Sequence, residues 1–176
     1  MGSKMRRSIA IFILLAVVPV FSDIPANKVT LRDLPRLAEG NPPLSSFAGR
    51  PLLLVLWAVW CEPCAAELPQ IEALRKEFGA SPLGIAGIAV ASPEGQARTF
   101  ISRVKTTFPH YLDYGSEFAD ALGMAGVPAV ILLHADGSIA FMQSGYENSP
   151  APQLREKIRS IIKLKGINNH EKIHHP

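Results

Sequence analysis

Apolar runs and amphipathic stretches alternate along the chain, and their lengths and periods predict most of its elements. Residues 51–58 (PLLLVLWA) are continuously apolar and bounded by turn residues, the pattern of a strand buried on both faces. Over 61–78 the period changes. Ala65, Leu68, Ile71, Leu74 and Phe78 recur every three or four residues, and Gly79 stands where a helix commonly ends. Pro69 lies inside that helix and is expected to kink it, since it removes an N–H donor and crowds the preceding turn. Residues 85–91 (IAGIAVA) read as a second buried strand. Ser92-Pro93-Glu94 then supplies an N-cap, an N1 proline and an early acid, with Ala97, Phe100, Ile101, Val104 and Phe108 on one helical face.

A short strand at 109–113 and a short helix at 117–123 follow. Residues 129–134 (AVILLH) and 138–143 (SIAFMQ) are strands joined by Ala135-Asp136-Gly137, a hairpin signal. Ser149-Pro150 opens a last amphipathic helix with Leu154, Ile158, Ile161 and Ile162. From Gly166 the chain is polar, and 167–176 reads as a loose tail. Residues 23–50 scatter Leu31, Leu34, Leu37, Leu44 and Phe47 among turn residues, a lead-in packed on the body rather than a separate domain. No internal repeat is present. The order β–α–β–α, hairpin, helix makes an α/β fold: a central mixed sheet with helices on both faces, in one domain over 23–166.

Composition changes the picture at the N-terminus. The chain has 176 residues, 48% hydrophobic and 19% charged, enough for one well-buried core. Its net charge of +3 belongs to Lys4, Arg6 and Arg7, because residues 1–22 contain no acid; the remaining body is neutral, which argues against a nucleic-acid partner. Those three cations precede an apolar run over 9–21 and then Ser22-Asp23, the layout of a secretory signal, with Val20 and Ser22 suiting cleavage before Asp23. The rival is an uncleaved membrane anchor. A spanning helix needs about 20 apolar residues and Pro19 interrupts this run, so cleavage is favoured. Either way the body is exported, into an oxidising compartment.

The two cysteines are in Trp60-Cys61-Glu62-Pro63-Cys64, where the first strand ends and the first helix begins. A helix start leaves N–H groups unpaired and favours negative charge, so a sulfur there is stabilised as thiolate, the form that attacks disulfides. The alternative, half of a zinc site, needs about four ligands, and no second Cys/His cluster stands at suitable spacing in the globular part. No metal and no cofactor are called for.

With this motif the chain resembles the thioredoxin fold, and within it the exported thiol–disulfide reductases of the TlpA/ResA type that serve cytochrome c maturation. The matching residues run from Leu56 to Pro69 (LWAVWCEPCAAELP), with Gly126-Val127-Pro128 before a strand and Asp136-Gly137 in the hairpin. The resemblance covers about 47–164, with the 23–50 extension and the 108–124 region as additions. It implies a redox disulfide between Cys61 and Cys64. Cys61, at the helix start, is the nucleophile; Cys64, one turn in, is the resolving thiol. Glu62 and Pro63 tune the couple, since a carboxylate beside the thiolate offsets part of the helix stabilisation and makes the reduced form a better donor.

The resemblance also assigns a proton acceptor. The central-strand acid usual in thioredoxins is replaced here by Val55, while Glu67, three residues after Cys64, matches the alternative acid of ResA-type proteins and would take the buried thiol's proton. The plainer reading is a solvated glutamate stabilised by the helix dipole. Pro128 resembles the cis-proline that faces the CxxC and, with Val127 and Trp60, would form the substrate-binding edge; the plainer reading is a strand-start proline. Trp57 is expected in the core. His110 and His134 read as structural or solvated, and His170, His174 and His175 as part of the polar tail.

The function expected is reduction of disulfides in protein substrates, apocytochrome c among them, with re-reduction by a membrane thiol donor of the DsbD type. A disulfide oxidant or isomerase of the same fold is the alternative; a Pro-His-like dipeptide would support it and Glu62-Pro63 does not. A copper-delivery protein of this fold would use a CxxxC pair with a distant histidine. A peroxidase would carry a threonine before a lone cysteine.

Overall fold

The computed structural model describes residues 28–79, 82–145 and 152–171, the last eight of these by backbone alone. The signal-like segment 1–22 and the predicted start of the last helix at Ser149-Pro150 lie outside the described residues. Among the described residues no helix is long and apolar enough to cross a membrane. Five strands form one sheet: β1 Leu52–Trp57, β2 Gly84–Val90, β3 His110–Asp113, β4 Ala129–Leu133 and β5 Ile139–Ser144, in the order β3-β2-β1-β4-β5. β1, β2 and β3 are parallel; β4 and β5 are antiparallel to their neighbours. The sheet is the mixed one expected.

β1 is central and has cover on both sides. Leu53, Val55 and Trp57 enter one core cluster and Leu52, Leu54 and Leu56 the other, which explains an unbroken apolar run. Helices α1 (Glu62–Phe78) and α2 (Glu94–Val104) connect β1 to β2 and β2 to β3. Both crossovers step the same way along the sheet, so right-handed connection places both helices on one face. Leu68, Ile71 and Leu74 of α1, Ala97 and Phe100 of α2, and Leu154, Ile158 and Ile161 of α4 (Pro152–Glu171) share that cluster. Each leucine, isoleucine or phenylalanine among them contributes roughly 1.5–3 kcal/mol on burial. The opposite face is covered by a 3-10 turn at Leu44–Phe47, by α3 (Glu117–Ala121) and by the lead-in.

That lead-in spans the sheet. Lys28 bridges Ser138 beside β5, Arg36 bridges Tyr111 of β3, and Val29, Leu31 and Leu34 pack between on the second cluster. Two sheet glycines admit large neighbours. At Gly84 an added Cβ would lie 2.6 Å from the Phe47 ring, and at Gly87 it would collide with the imidazole of His110, its register partner.

Pro69 lies inside α1, as expected, and is exposed, so the carbonyl one turn back that lacks its N–H partner can be met by water. Two elements differ from expectation. α2 starts at Glu94 with Pro93, not Ser92, as N-cap, because the Ser92 hydroxyl is engaged elsewhere. α4 does not stop at Gly166 but runs to Glu171: a helical glycine costs only about 1 kcal/mol, and no proline follows until Pro176.

Candidate active site

The parallel strands β1 and β2 both deliver their C-terminal ends to one edge of the molecule, and the cysteine pair stands there. Cys61 is the N-cap of α1, with extended backbone (φ −93°, ψ 98°), and its Sγ accepts the Cys64 N–H at 3.3 Å. It thus takes the place that a serine or aspartate side chain commonly fills. Cys61 and Cys64 form a disulfide, their Cα atoms 5.4 Å apart. The Cys61 side retains 4% exposure, whereas Cys64 has none. Trp60 is 64% exposed beside them; Glu62 and Pro63 occupy the first exposed turn. Trp57 is fully buried.

Glu67 is on the buried side of α1, one turn past Cys64, and only 9% exposed. Its Oε2 is buried with no hydrogen-bond partner. A carboxylate there would be poorly solvated, so burial pushes its pKa up to about 7. It is therefore not a solvated surface glutamate. Val55, at the usual position of the strand acid, is fully buried among apolar groups. The Val127–Pro128 bond is cis. Pro128 is buried, its carbonyl accepts the Gly145 N–H at 2.8 Å, and Val127 is half-buried where the two core clusters meet.

Three buried polar groups, among them the His110 expected to be structural or solvated, make contacts that the sequence did not show. Ser92 is buried; its hydroxyl donates to the Val90 carbonyl at 2.9 Å and accepts the Val59 N–H at 3.1 Å. His110 lies across the space left by Gly87, accepts the Trp57 indole N–H on Nδ1 at 3.1 Å, and faces Thr106 Oγ1 through Nε2 at 2.8 Å. An acceptor at Nδ1 makes Nε2 the protonated nitrogen, and burial lowers the His110 pKa to about 3, so the ring is neutral. Glu72 is buried on α1. Burial raises its pKa, but hydrogen bonds from Arg75 and from the N–H and hydroxyl of Thr107 outweigh this and hold it below the ordinary value. Thr106 and Arg75 stand close in sequence to His110 and Glu72, but the partners that fix their places, Trp57 and Thr107, are distant, and Ser92 mimics a cap. His134, at the end of β4, is half-buried and bonded through its backbone to Ser138. The histidines at 170–175 have no described side chains.

Comparison with known proteins agrees with this geometry. The chain is 27% identical over 148 residues to the thiol-disulfide oxidoreductase ResA of Halalkalibacterium halodurans, covering 84% of this chain and 75% of that protein. Two solved structures share its fold. One, from Chlorobium tepidum and assigned as a thiol:disulfide interchange protein DsbE, matches with TM-score 0.70 at 23% identity, over 77% of this chain and 95% of that one. The other, a secreted Mycobacterium tuberculosis disulfide oxidoreductase, gives 0.63 at 20% identity, over 74% and 96%. Residues 22–158 match the Redoxin family itself. The chain belongs to the Redoxin family, and within it stands with the ResA-type thiol–disulfide oxidoreductases.

Proposed function

We propose that this protein is an exported disulfide reductase acting on protein substrates in the periplasm, apocytochrome c among them. The Cys61 thiolate attacks a substrate disulfide, forms a mixed disulfide and releases one substrate thiol, which takes up a proton. The Cys64 thiol then gives its proton to the Glu67 carboxylate. The resulting thiolate attacks Cys61 Sγ, closes the Cys61–Cys64 disulfide and expels the second substrate sulfur as thiolate, which takes up a proton as Glu67 gives its own back. Two electrons and two protons pass to the substrate, and a membrane thiol donor of DsbD type restores the dithiol. Trp60, Val127 and Pro128 form the edge that receives an extended substrate segment. Export rests on the signal-like 1–22 segment, with cleavage favoured over an anchor facing the periplasm.

The observation that carries the reading is the Cys61–Cys64 pair at the start of α1 with a buried carboxyl oxygen that has no hydrogen-bond partner one turn behind it, where burial pushes the pKa up to about 7. A group of that pKa can accept and return a proton near neutrality. Glu62, beside the nucleophile, favours a donor over an oxidant. Equilibration with glutathione tests it: the potential should fall near the thioredoxin value of about −270 mV, and one near the DsbA value of about −120 mV would make the protein an oxidant.

A further inference from the structure

The thiols differ in how they are held. Cys64 is on the first turn of a 17-residue helix packed into the core, so its position follows from the body of the protein. Cys61 is the last residue of the loop that leaves β1; its side chain is buried in the same cluster and accepts the Cys64 N–H, and its backbone depends also on what restrains Ala58, Val59 and Trp60. Two hydrogen bonds do so. The Cys61 N–H donates to the Ala58 carbonyl at 3.1 Å, a bond inside the loop. The Val59 N–H donates to Ser92 Oγ at 3.1 Å, which ties the loop to the turn that follows β2.

The Ser92 side is built for this contact. Its hydroxyl proton goes to the Val90 carbonyl at 2.9 Å, which turns the oxygen's lone pairs toward Val59. The residue is 2% exposed, so no bulk water competes. Ala91 before it has left-handed backbone, φ 44°, although it is not glycine, and its N–H is pinned to the Asp113 carbonyl at 2.9 Å. Such a conformation costs about 1–2 kcal/mol at alanine and persists only where surrounding structure enforces it. Pro93 after it restricts the backbone further. The sequence places Ser92 where a helix cap belongs, yet it makes no cap bond to α2.

We propose that Ser92 is a positioning residue of the redox centre: by anchoring Val59 to the end of β2 it holds Cys61 against Cys64 and sets the equilibrium of the disulfide. This rests on the Cys61–Cys64 pair being the redox couple. The disulfide demands that the loop sit in one place, whereas the dithiol tolerates a range of placements. A tether that restricts the loop therefore costs the oxidised form little freedom and the reduced form more, which raises the effective concentration of one thiol at the other. Without it the disulfide is easier to reduce.

The test is the exchange Cys61–Cys64 disulfide plus two glutathione thiols giving the dithiol plus glutathione disulfide, followed in wild type, Ser92→Ala and Ser92→Thr. Ser92→Ala should shift the constant about tenfold toward the dithiol, a rise in potential of about 30 mV, and Ser92→Thr, which keeps the hydroxyl, should restore most of it. A buried hydroxyl serving stability alone would lower the melting temperature and leave the potential where it was; that result overturns the proposal. A wild-type disulfide that never equilibrates with glutathione would instead remove the redox reading itself. Amide exchange in the wild-type protein is independent of any variant's folding. The Val59 N–H should be protected in the oxidised form, and exchange at the rate of an open loop would refute the tether.

Discussion

Replacing Glu67 by glutamine removes one titrating group and nearly nothing of its shape. In the folded, oxidised protein the Glu67 carboxyl has a pKa of about 7 against 4.5 for the free side chain. Below pH 4.5 it is protonated in both folded and unfolded chains and has no effect on stability. Between 4.5 and 7 the unfolded chain ionises and the folded one does not, so stability falls as pH rises. Above pH 7 both are ionised and the loss is complete. With about 1.36 kcal/mol per unit, the full penalty is roughly 3 kcal/mol, of which roughly 2.5 develops between pH 5 and pH 8. Urea unfolding of both oxidised proteins at pH 5, 6, 7 and 8 isolates it, because every other titrating group cancels in the difference. Glu67→Gln should gain on wild type by about 2–3 kcal/mol across that range. A difference that stays constant with pH would mean that Glu67 titrates as a solvated carboxylate, and the proton-transfer role would fall with it.

The asymmetry of the two sulfurs gives a second expectation: Cys61→Ser abolishes disulfide exchange, while Cys64→Ser accumulates a mixed disulfide with substrate, visible on non-reducing gels. Equal trapping by both would contradict the assigned order. Gly87→Ala should cost about 1–3 kcal/mol in chemical denaturation, since its Cβ would displace an imidazole held by Trp57 and Thr106. Its indole N–H resonance should shift as the Trp57 hydrogen bond breaks; a variant as stable as wild type would show that His110 has room to move.

What could be read from the chain was what its signals made local. The buried strands, the helix opened by Cys61 and the turn at Asp136-Gly137 each carry their reason within a few residues. Ser92 is the instructive exception: Ser-Pro-Glu is a cap signature in any sequence window, but the nearest unmet donor in space was Val59, thirty-three residues earlier. His110 was unreadable for a similar cause, since its reach to Trp57 depends on a missing side chain at Gly87 on the strand between. Glu67 and Glu72 look alike on a helical wheel. One has a buried Oε2 without a partner and the other accepts three hydrogen bonds, and only the packing of Thr107 and Arg75 separates them.

The lead-in that joins Lys28 to Ser138 and Arg36 to Tyr111 has a consequence for solubility. A sheet's outer strands offer rows of N–H and carbonyl groups that can recruit a second chain, and aggregation begins there. Here one segment reaches both flanks: Val29 donates to the Gly137 carbonyl just ahead of β5, while Leu37 donates to the His110 carbonyl and Leu112 to the Pro35 carbonyl along β3. The same segment roofs the second core cluster with Val29, Leu31 and Leu34. Exposed sheet edges must be kept from joining one another. Along β3 that protection comes from residues that carry none of the chemistry.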